Sequence, residues 1–383
     1  MLIDGCFLSG DVVLPEGIKE IANGSFDKYG FEHIYDEEPL TSIILPSGLE
    51  TIGSLAFSQC KELTKVVIPE GVTKIESSAF NYCEKLTDIT LPESLKDFSI
   101  YSFQKTPLYE TIINTEGDVI INGVLIKTDI PDSGEIVFPD NLEFGAGIAF
   151  GAGASREDVS SVVFPDSWKT IPGFAYCSSL KSVTIPDSVI SIKDDAFVND
   201  PNLVLTSLPA NLKYIGENAF KGVIMSADIA IPASVRRIGA GAFAESGIGT
   251  ADIPAGVTRI LDSTFEASAL EKVTIPDTVL YIGNNAFKDC VYLKDVTVPG
   301  SVYAIADSAF EGCELDNAVV SEGVLSIGAN AFASCKSISL PASLTFIDDT
   351  AITGGQITFA GTQEQWNALA GENLSKLSVT CMG

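Results

Sequence analysis

Residues 63–83 read LTKVVIPEGVTKIESSAFNYC, and this stretch returns along most of the chain with few changes. Residues 180–197 read LKSVTIPDSVISIKDDAF, and residues 270–290 read LEKVTIPDTVLYIGNNAFKDC. Self-similarity at a fixed period of this length predicts stacked units that bury their apolar faces against one another. A stack of this kind grows by adding coils and has no single core to saturate.

Two slots of the repeat keep step with each other. The repeat proline falls at 46, 69 and 92, and later at 165, 186, 209, 232, 254, 276 and 299. The repeat phenylalanine falls at 57, 80 and 103, and later at 197, 220, 243, 265, 287, 310 and 332. We therefore expect an α/β repeat protein dominated by β-structure, with repeats of 22–23 residues in one solenoid over residues 1–383.

Within one repeat, the residues before the proline alternate as a strand does. Val66 and Ile68 fall on one face, and Lys65 and Val67 fall on the other. Pro69 ends the strand because it has no N–H for a further ladder bond. Stacking the units places these strands side by side, so the sequence predicts a parallel sheet along one face of the solenoid.

The repeat L-x-x-I-x-I-P-x-x-V-x-x-I-G-x-x-A-F-x-x-C resembles that of the BspA-like (Treponema pallidum-type) leucine-rich repeat family of bacterial surface proteins. The resemblance covers residues from about 9 to 360. It implies a right-handed solenoid with its parallel sheet on the concave face. It also implies an extracellular or cell-surface protein with a role in adhesion, and it implies no catalytic residues.

Charge narrows the classes of partner. The formal net charge of −28 argues against nucleic acid, which needs a basic surface, and against anionic lipid. Many acids follow the repeat proline, and they read as solvated turn residues or, alternatively, as a cation-seeking surface. The start Met-Leu-Ile-Asp-Gly has no basic region or long apolar run, so we expect no signal peptide and no direct membrane insertion.

An insertion within the N-terminal repeat (residues 1–45) lengthens one step between prolines. It carries four alternating side chains that an extended chain would place on one side: Tyr29, Phe31, His33 and Tyr35. Exposed aromatic residues are good contact residues. The insertion reads as a binding site or as a cap on the open end of the solenoid.

A second irregularity spans residues 104–138. Asn122 and Gly123 separate two apolar runs, a pattern that predicts a β-hairpin because both residues tolerate a positive φ. The hairpin reads as a variant repeat or as a binding projection.

The C-terminal stretch, residues 361–383, is predicted to cap the solenoid. Thr362 and Gln365 have capping-box spacing, Trp366 begins an apolar helical face, and Gly371 is expected to end the helix. A strand is expected near residues 377–380.

Nothing in the sequence points to catalysis. The chain has one histidine, His33, and no nucleophile motif beside it, so we expect no enzyme. Five of the eight cysteines share the slot three residues after the phenylalanine, where Val and Ser also occur. They read as buried free thiols, with occasional disulfides as the alternative and a metal site as a remote one. No cofactor is expected.

The outward face of the predicted sheet is the expected binding surface, because extended repeat surfaces bind partners. Its candidate residues are Lys65, Asp88, Thr90, Ser182, Thr184, Lys272, Thr274, Asp295 and Thr297. The face reads as polar, which suits a flat protein partner better than a small molecule. The preferred hypothesis is a non-enzymatic surface protein that binds a host, matrix or other surface protein, and the alternative is carbohydrate binding.

Overall fold

The computed structural model describes residues 10–27, 39–138, 143–150 (backbone only), 156–174, 177–226 and 229–383. The chain forms two compact units. Unit 1 comprises residues 1–133 and 141–155, and unit 2 comprises residues 134–140 and 156–383. Each is a β-solenoid of parallel strands, which confirms the predicted fold class. The prediction that residues 1–383 form one solenoid domain stays a prediction.

The strands that precede the repeat proline form a series of short parallel sheets, which we call together sheet A. In unit 1 its strands are Gly10–Val13, Leu40–Ile44, Lys65–Val67 and Asp88–Thr90. In unit 2 they are Glu135–Val137, Ser161–Val163, Ser182–Thr184, Val204–Leu205, Ile224–Met225, Thr250–Asp252, Lys272–Thr274, Asp295–Val298, Asn317–Val320, Ser337–Leu340, Gln356–Phe359 and Val379–Cys381. The register is that of the repeat: Lys65 lies opposite Asp88, and Val66 opposite Ile89.

A second ladder, which we call sheet B, follows the proline. Its strands have two residues each, an outward residue and a buried apolar one, a signal too short to read as a strand in the sequence. In unit 1 they are Glu20–Ile21, Thr51–Ile52 and Lys74–Ile75. In unit 2 they are Thr170–Ile171, Ser191–Ile192, Tyr214–Ile215, Arg237–Ile238, Arg259–Ile260, Tyr281–Ile282, Ala304–Ile305, Ser326–Ile327 and Phe346–Ile347.

The repeat phenylalanines stack face to face through the core. In unit 1 the ring centroids of Phe26 and Phe57 lie 4.8 Å apart, and those of Phe57 and Phe80 lie 5.0 Å apart. In unit 2 the stack runs from Phe197 to Phe332 with near-parallel rings. Offset stacking at this spacing adds to the burial of each ring, so the stack ties neighbouring coils together.

Close approach of the coils explains the glycine after the buried isoleucine of sheet B. A Cβ on Gly283 would lie 2.7 Å from the backbone nitrogen of Asp262, and one on Gly328 would lie 2.8 Å from that of Asp307. At this position the backbones of neighbouring coils are in contact, which leaves no room for a side chain. The same aspartates accept a hydrogen bond from the N–H after the glycine, for example Ala329 to Asp307 Oδ1 at 2.8 Å.

The hairpin at Asn122 packs against the solenoid. Val119–Ile121 runs antiparallel to Val124–Thr128, and Asn122 (φ 55°) and Gly123 (φ 78°) form the turn. Asn122 Nδ2 donates to the Pro92 carbonyl oxygen at 2.6 Å. This anchoring favours a variant repeat over a binding projection. The strand Glu143–Phe150 joins Val124–Thr128 in a three-stranded sheet.

A buried cation fixes the hairpin on its other side. The Lys127 ammonium donates to the carbonyl oxygens of Thr115 at 2.5 Å and Gly117 at 2.9 Å, and it pairs with Asp129. An α-helix, Pro107–Ile113, and a 3₁₀ helix, Ile100–Phe103, precede the hairpin. Thr106 caps the α-helix by accepting from Tyr109 N. A further 3₁₀ helix spans Arg156–Asp158 in unit 2.

The C-terminal helix has the predicted capping box and ends directly before Gly371. Thr362 Oγ1 accepts from Gln365 N at 3.2 Å, and Gln365 Oε1 accepts from Thr362 N at 2.7 Å. The helix spans Gln363–Leu369 and buries Trp366. Ala370 is the C-cap of the helix, and its backbone is already extended.

The last elements follow this helix. A 3₁₀ helix spans Leu374–Lys376, and the final strand is Val379–Cys381, slightly later than expected. That strand pairs in parallel with Gln356–Phe359 and so becomes the last strand of sheet A.

Candidate protein-binding surface

The outward positions of sheet A are open to solvent, as the strand alternation predicts. The predicted side chains on this face are all exposed: Lys65, Asp88, Thr90, Ser182, Thr184, Lys272, Thr274, Asp295 and Thr297. They do not form one site. Three lie in unit 1 and six in unit 2, and Ser182 and Thr184 belong to a different sheet from the other four.

In unit 1 the first outward position of each sheet A strand forms a polar row. Lys65 Nζ lies 2.6 Å from Asp88 Oδ2, and both side chains are more than half exposed. Asp11 Oδ1 accepts from the hydroxyls of Ser42 at 2.6 Å and Thr41 at 3.1 Å, and these hydrogen bonds lower the pKa of Asp11. Exposed pairs of this kind add little stability, so the row is a polar surface more than a support for the fold.

Beside it, the second outward position forms an apolar row, which corrects the expectation of a polar face. Val13 is 69% exposed, Ile44 60% and Val67 49%, and the three lie directly opposite one another on adjacent strands. Thr90 continues the row. These aligned aliphatic side chains face water and so contribute no hydrophobic stabilisation to the folded chain. Exposed apolar patches of this kind are typical of protein contact sites. Strand alternation in the sequence predicts that these positions face outward. The candidate binding residues were chosen among the polar side chains alone, so the apolar row was missed.

In unit 2 four predicted residues surround one concavity. Lys272, Thr274, Asp295 and Thr297 line a space of about 830 Å³, together with Asp277. Here sheet A is interrupted, because Lys272–Thr274 and Asp295–Val298 belong to different sheets. The lining has polar, charged and apolar side chains, so it offers both hydrogen-bonding and apolar contacts to a partner.

The aromatic residues of the insertion fall in a part of the chain that the structure does not describe. Tyr29, Phe31, His33 and Tyr35 lie outside the described residues. The hypothesis that they bind a partner therefore stays a prediction.

The acids after the repeat proline are hydrogen-bond acceptors between coils. Asp187 Oδ1 accepts from Ala210 N at 2.7 Å, and Glu322 Oε1 accepts from Ala342 N at 2.7 Å. The sequence suggested solvated acids with a cation-seeking surface as the alternative. It could not show that the next coil presents a backbone N–H to carboxylates such as these two.

The cysteine slot is a packed position with a hydrogen bond. Cys83, Cys290, Cys313 and Cys335 are buried free thiols, Cys60 and Cys177 are buried as well, and Cys381 is partly exposed. Cys83 Sγ donates to the Phe57 carbonyl oxygen at 3.1 Å, and Cys313 Sγ donates to that of Phe287 at 2.9 Å. Burial raises the pKa of Cys83 well above its usual range, which keeps this thiol protonated and unreactive.

The described part of the chain holds no group of three or more His, Cys, Asp or Glu side chains that could bind a metal ion. Among the same residues, no helix is both long and apolar enough to span a bilayer.

Comparison with known proteins identifies the repeat. The family described as "BspA type Leucine rich repeat region (6 copies)" matches residues 32–152, 149–271 and 258–372. Curated protein sequences contain no match to the chain.

Solved structures resemble the chain at low identity. A leucine-rich repeat protein from Bacteroides ovatus is 24% identical, with a TM-score of 0.46 over 96% of this chain and 91% of that one. A leucine rich cell surface protein from Faecalibacterium prausnitzii is 21% identical, with a TM-score of 0.37 over 94% and 90%. The pneumococcal vaccine antigen PcpA is 15% identical, with a TM-score of 0.40 over 99% and 91%.

Proposed function

The chain belongs to the BspA-type leucine-rich repeat family, and from this we propose that it is a non-enzymatic protein of the cell surface that binds another protein through the outward face of sheet A. Proteins of this family are generally non-enzymatic, and leucine-rich repeat solenoids generally mediate contacts between proteins. The partner is a host or matrix protein, or another surface protein.

The observation that carries the proposal is the apolar row of unit 1. Val13, Ile44 and Val67 expose aliphatic surface in register, and the polar row with Lys65 and Asp88 runs beside it. An apolar strip with polar groups at its side has the make-up of a protein interface, which combines a hydrophobic centre with a polar rim. Flat aliphatic side chains offer little to a glycan, which needs hydrogen bonds and aromatic faces.

The test replaces the apolar row without disturbing the strands. The triple variant Val13→Thr, Ile44→Thr, Val67→Thr keeps β-branched side chains and replaces an exposed methyl or ethyl group at each position by a hydroxyl. We expect it to lose binding to a purified matrix protein at least tenfold, with an unchanged melting temperature, because few interface residues carry most of the binding energy.

The matched control is Val137→Thr, which alters an equally exposed outward position of sheet A in unit 2 (65% exposed). Binding is measured on a panel of purified matrix proteins beside a glycan array. If the triple variant binds as the parent does, or if only glycans bind, the proposal fails.

A further inference from the structure

A second surface, on sheet B of unit 2, carries the arginines of the protein. The sequence has four arginines against 51 acidic residues, and three of the four lie on two adjacent coils. These three and three tyrosines form what we call the arginine–tyrosine strip: Tyr214, Arg236, Arg237, Arg259, Tyr281 and Tyr303. A concentration of cations at one place on a chain of net charge −28 calls for an explanation.

The ladder places members of the strip side by side within each of two sheets. Tyr214 is opposite Arg237 in the ladder, and Arg259 is opposite Tyr281. The Arg259 guanidinium lies over the Tyr281 ring, 4.9 Å from its centroid, and the Tyr281 and Tyr303 rings are 6.0 Å apart. Cation–π and ring contacts hold these side chains against the sheet, which lowers the entropy lost when a partner binds.

The arginines of the strip differ from the lysines of the chain in their partners. Within the described residues, none of Arg236, Arg237 and Arg259 forms an ion pair, whereas lysines elsewhere do, as Lys288 does with Glu311 at 2.9 Å. Arg236 donates instead to the carbonyl oxygens of Ala233 and Val235. The nearby Asp262 accepts a hydrogen bond from Asn284 N at 2.9 Å and so links two neighbouring coils.

The surroundings of the strip favour a protein as the occupant. A hollow of about 550 Å³ lies beside Tyr214 and Arg237, where sheet B is interrupted before Arg259–Ile260. Leu280 and Leu325 flank Tyr303 through backbone hydrogen bonds, and they are 46% and 43% exposed. Exposed leucines add apolar area that a glycan or a nucleic acid would not cover.

We propose that the arginine–tyrosine strip binds an acidic, apolar-containing segment of a second protein, distinct from the partner of sheet A. Carboxylates of that segment pair with the arginine forks, because a guanidinium matches a carboxylate with two parallel N–H donors. Its apolar side chains cover Tyr281, Tyr303 and the two leucines. A second copy of this chain is a poor occupant, since two copies of charge −28 repel each other.

The probe is a displayed library of short random peptides, selected on the intact protein at low salt. We expect the enriched peptides to be rich in Asp and Glu and to contain Leu or aromatic residues. Their affinity should fall at least tenfold in Arg237→Ala/Arg259→Ala, because arginine and tyrosine dominate protein interfaces. Arg237→Lys/Arg259→Lys should give an intermediate loss, since lysine keeps the charge but not the fork.

Two controls separate this proposal from that for sheet A. Arg156→Ala removes the one arginine outside the strip and should leave peptide affinity unchanged. The triple threonine variant of sheet A should also retain the peptides, so either surface can fail alone. The proposal is overturned if the enriched peptides are neutral or basic, or if the arginine double variant, with an unchanged melting temperature, binds them as the parent does. It is equally overturned if an acidic glycan binds through the arginines while no acidic peptide does.

Discussion

At the scale of single residues, most coils with the repeat phenylalanine have two residues whose backbone is left-handed. One lies two residues before the repeat phenylalanine and the other two residues after it, as Asn285 (φ 54°) and Asp289 (φ 58°) flank Phe287. Asn, Asp, Ser and Gly fill most of these positions, because they tolerate a positive φ at low cost. The residue types at these positions therefore reflect the need for a positive φ, which the hydrophobic periodicity alone does not show.

One of these positions offers a stability test. Ala267 is exposed with φ 53°, in the slot that Gly222 and Gly312 fill on other coils. We expect Ala267→Gly to raise the free energy of unfolding by up to about 1 kcal/mol, because the strain of a left-handed alanine exceeds the entropic cost of glycine. Chemical denaturation measures the change.

The same substitution at an ordinary backbone position should act in the opposite direction. Ala255 is equally exposed and is not among the residues of positive φ. Ala255→Gly should therefore lower the free energy of unfolding, because it only adds freedom to the unfolded chain. Equal effects of the two substitutions would contradict the strain argument.

At the scale of elements, the sequence predicted the elements whose signal is local. The alternation before Pro69 gave the strand Lys65–Val67, Asn122-Gly123 gave the hairpin turn, and Thr362 gave the capping box. Sheet B was missed because two residues cannot show a period. The helix Pro107–Ile113 was missed because its seven residues bury only Ile112.

The C-terminal elements depend on one carboxylate. Asp349 accepts from the backbone N–H groups of Leu374 at 3.0 Å and Asn373 at 2.9 Å, and these hydrogen bonds lower its pKa. A carboxyl group with a lowered pKa in the folded state stabilises that state above its unfolded pKa of about 3.9. This stabilisation is lost as the pH falls through the folded pKa.

We therefore expect Asp349→Asn to weaken hydrogen-exchange protection over residues 371–381 at neutral pH. The difference from the parent should shrink as the pH falls below about 4, where the parent carboxyl is itself protonated. Asp348→Asn is the control, since the hydrogen bonds that the Asp348 carboxylate accepts among the described residues come from Thr350 in its own turn. A pH-independent difference would show that Asp349 acts through shape and not through charge.

At the scale of the whole molecule, the architecture could be predicted from the sequence, whereas the surface could be predicted only in part. The proline and phenylalanine registers predicted stacked coils because each unit must bury its apolar face on the next. The functional surface is less predictable, since outward residues such as Val13 and Arg237 obey no packing rule. Only the stacking shows that Val13 aligns with Ile44, or that Arg259 meets Tyr281.

A stacked molecule should respond to damage locally. Phe265 packs between Phe243 and Phe287, with ring centroids at 5.5 and 5.3 Å, and it is fully buried. Phe265→Ala should cost about 3–5 kcal/mol. In a solenoid, where each repeat contacts only its neighbours, the loss of hydrogen-exchange protection should be largest in the coils of these three residues and should fade toward Phe197 and Phe332.

Phe265→Leu is the matched variant, because it keeps apolar volume while removing the ring. It should give a smaller loss over the same coils. A uniform loss of protection across unit 2 would contradict this expectation. It would mean that the coils of unit 2 unfold as one cooperative body, so that their stability is not a sum of contacts between neighbouring coils.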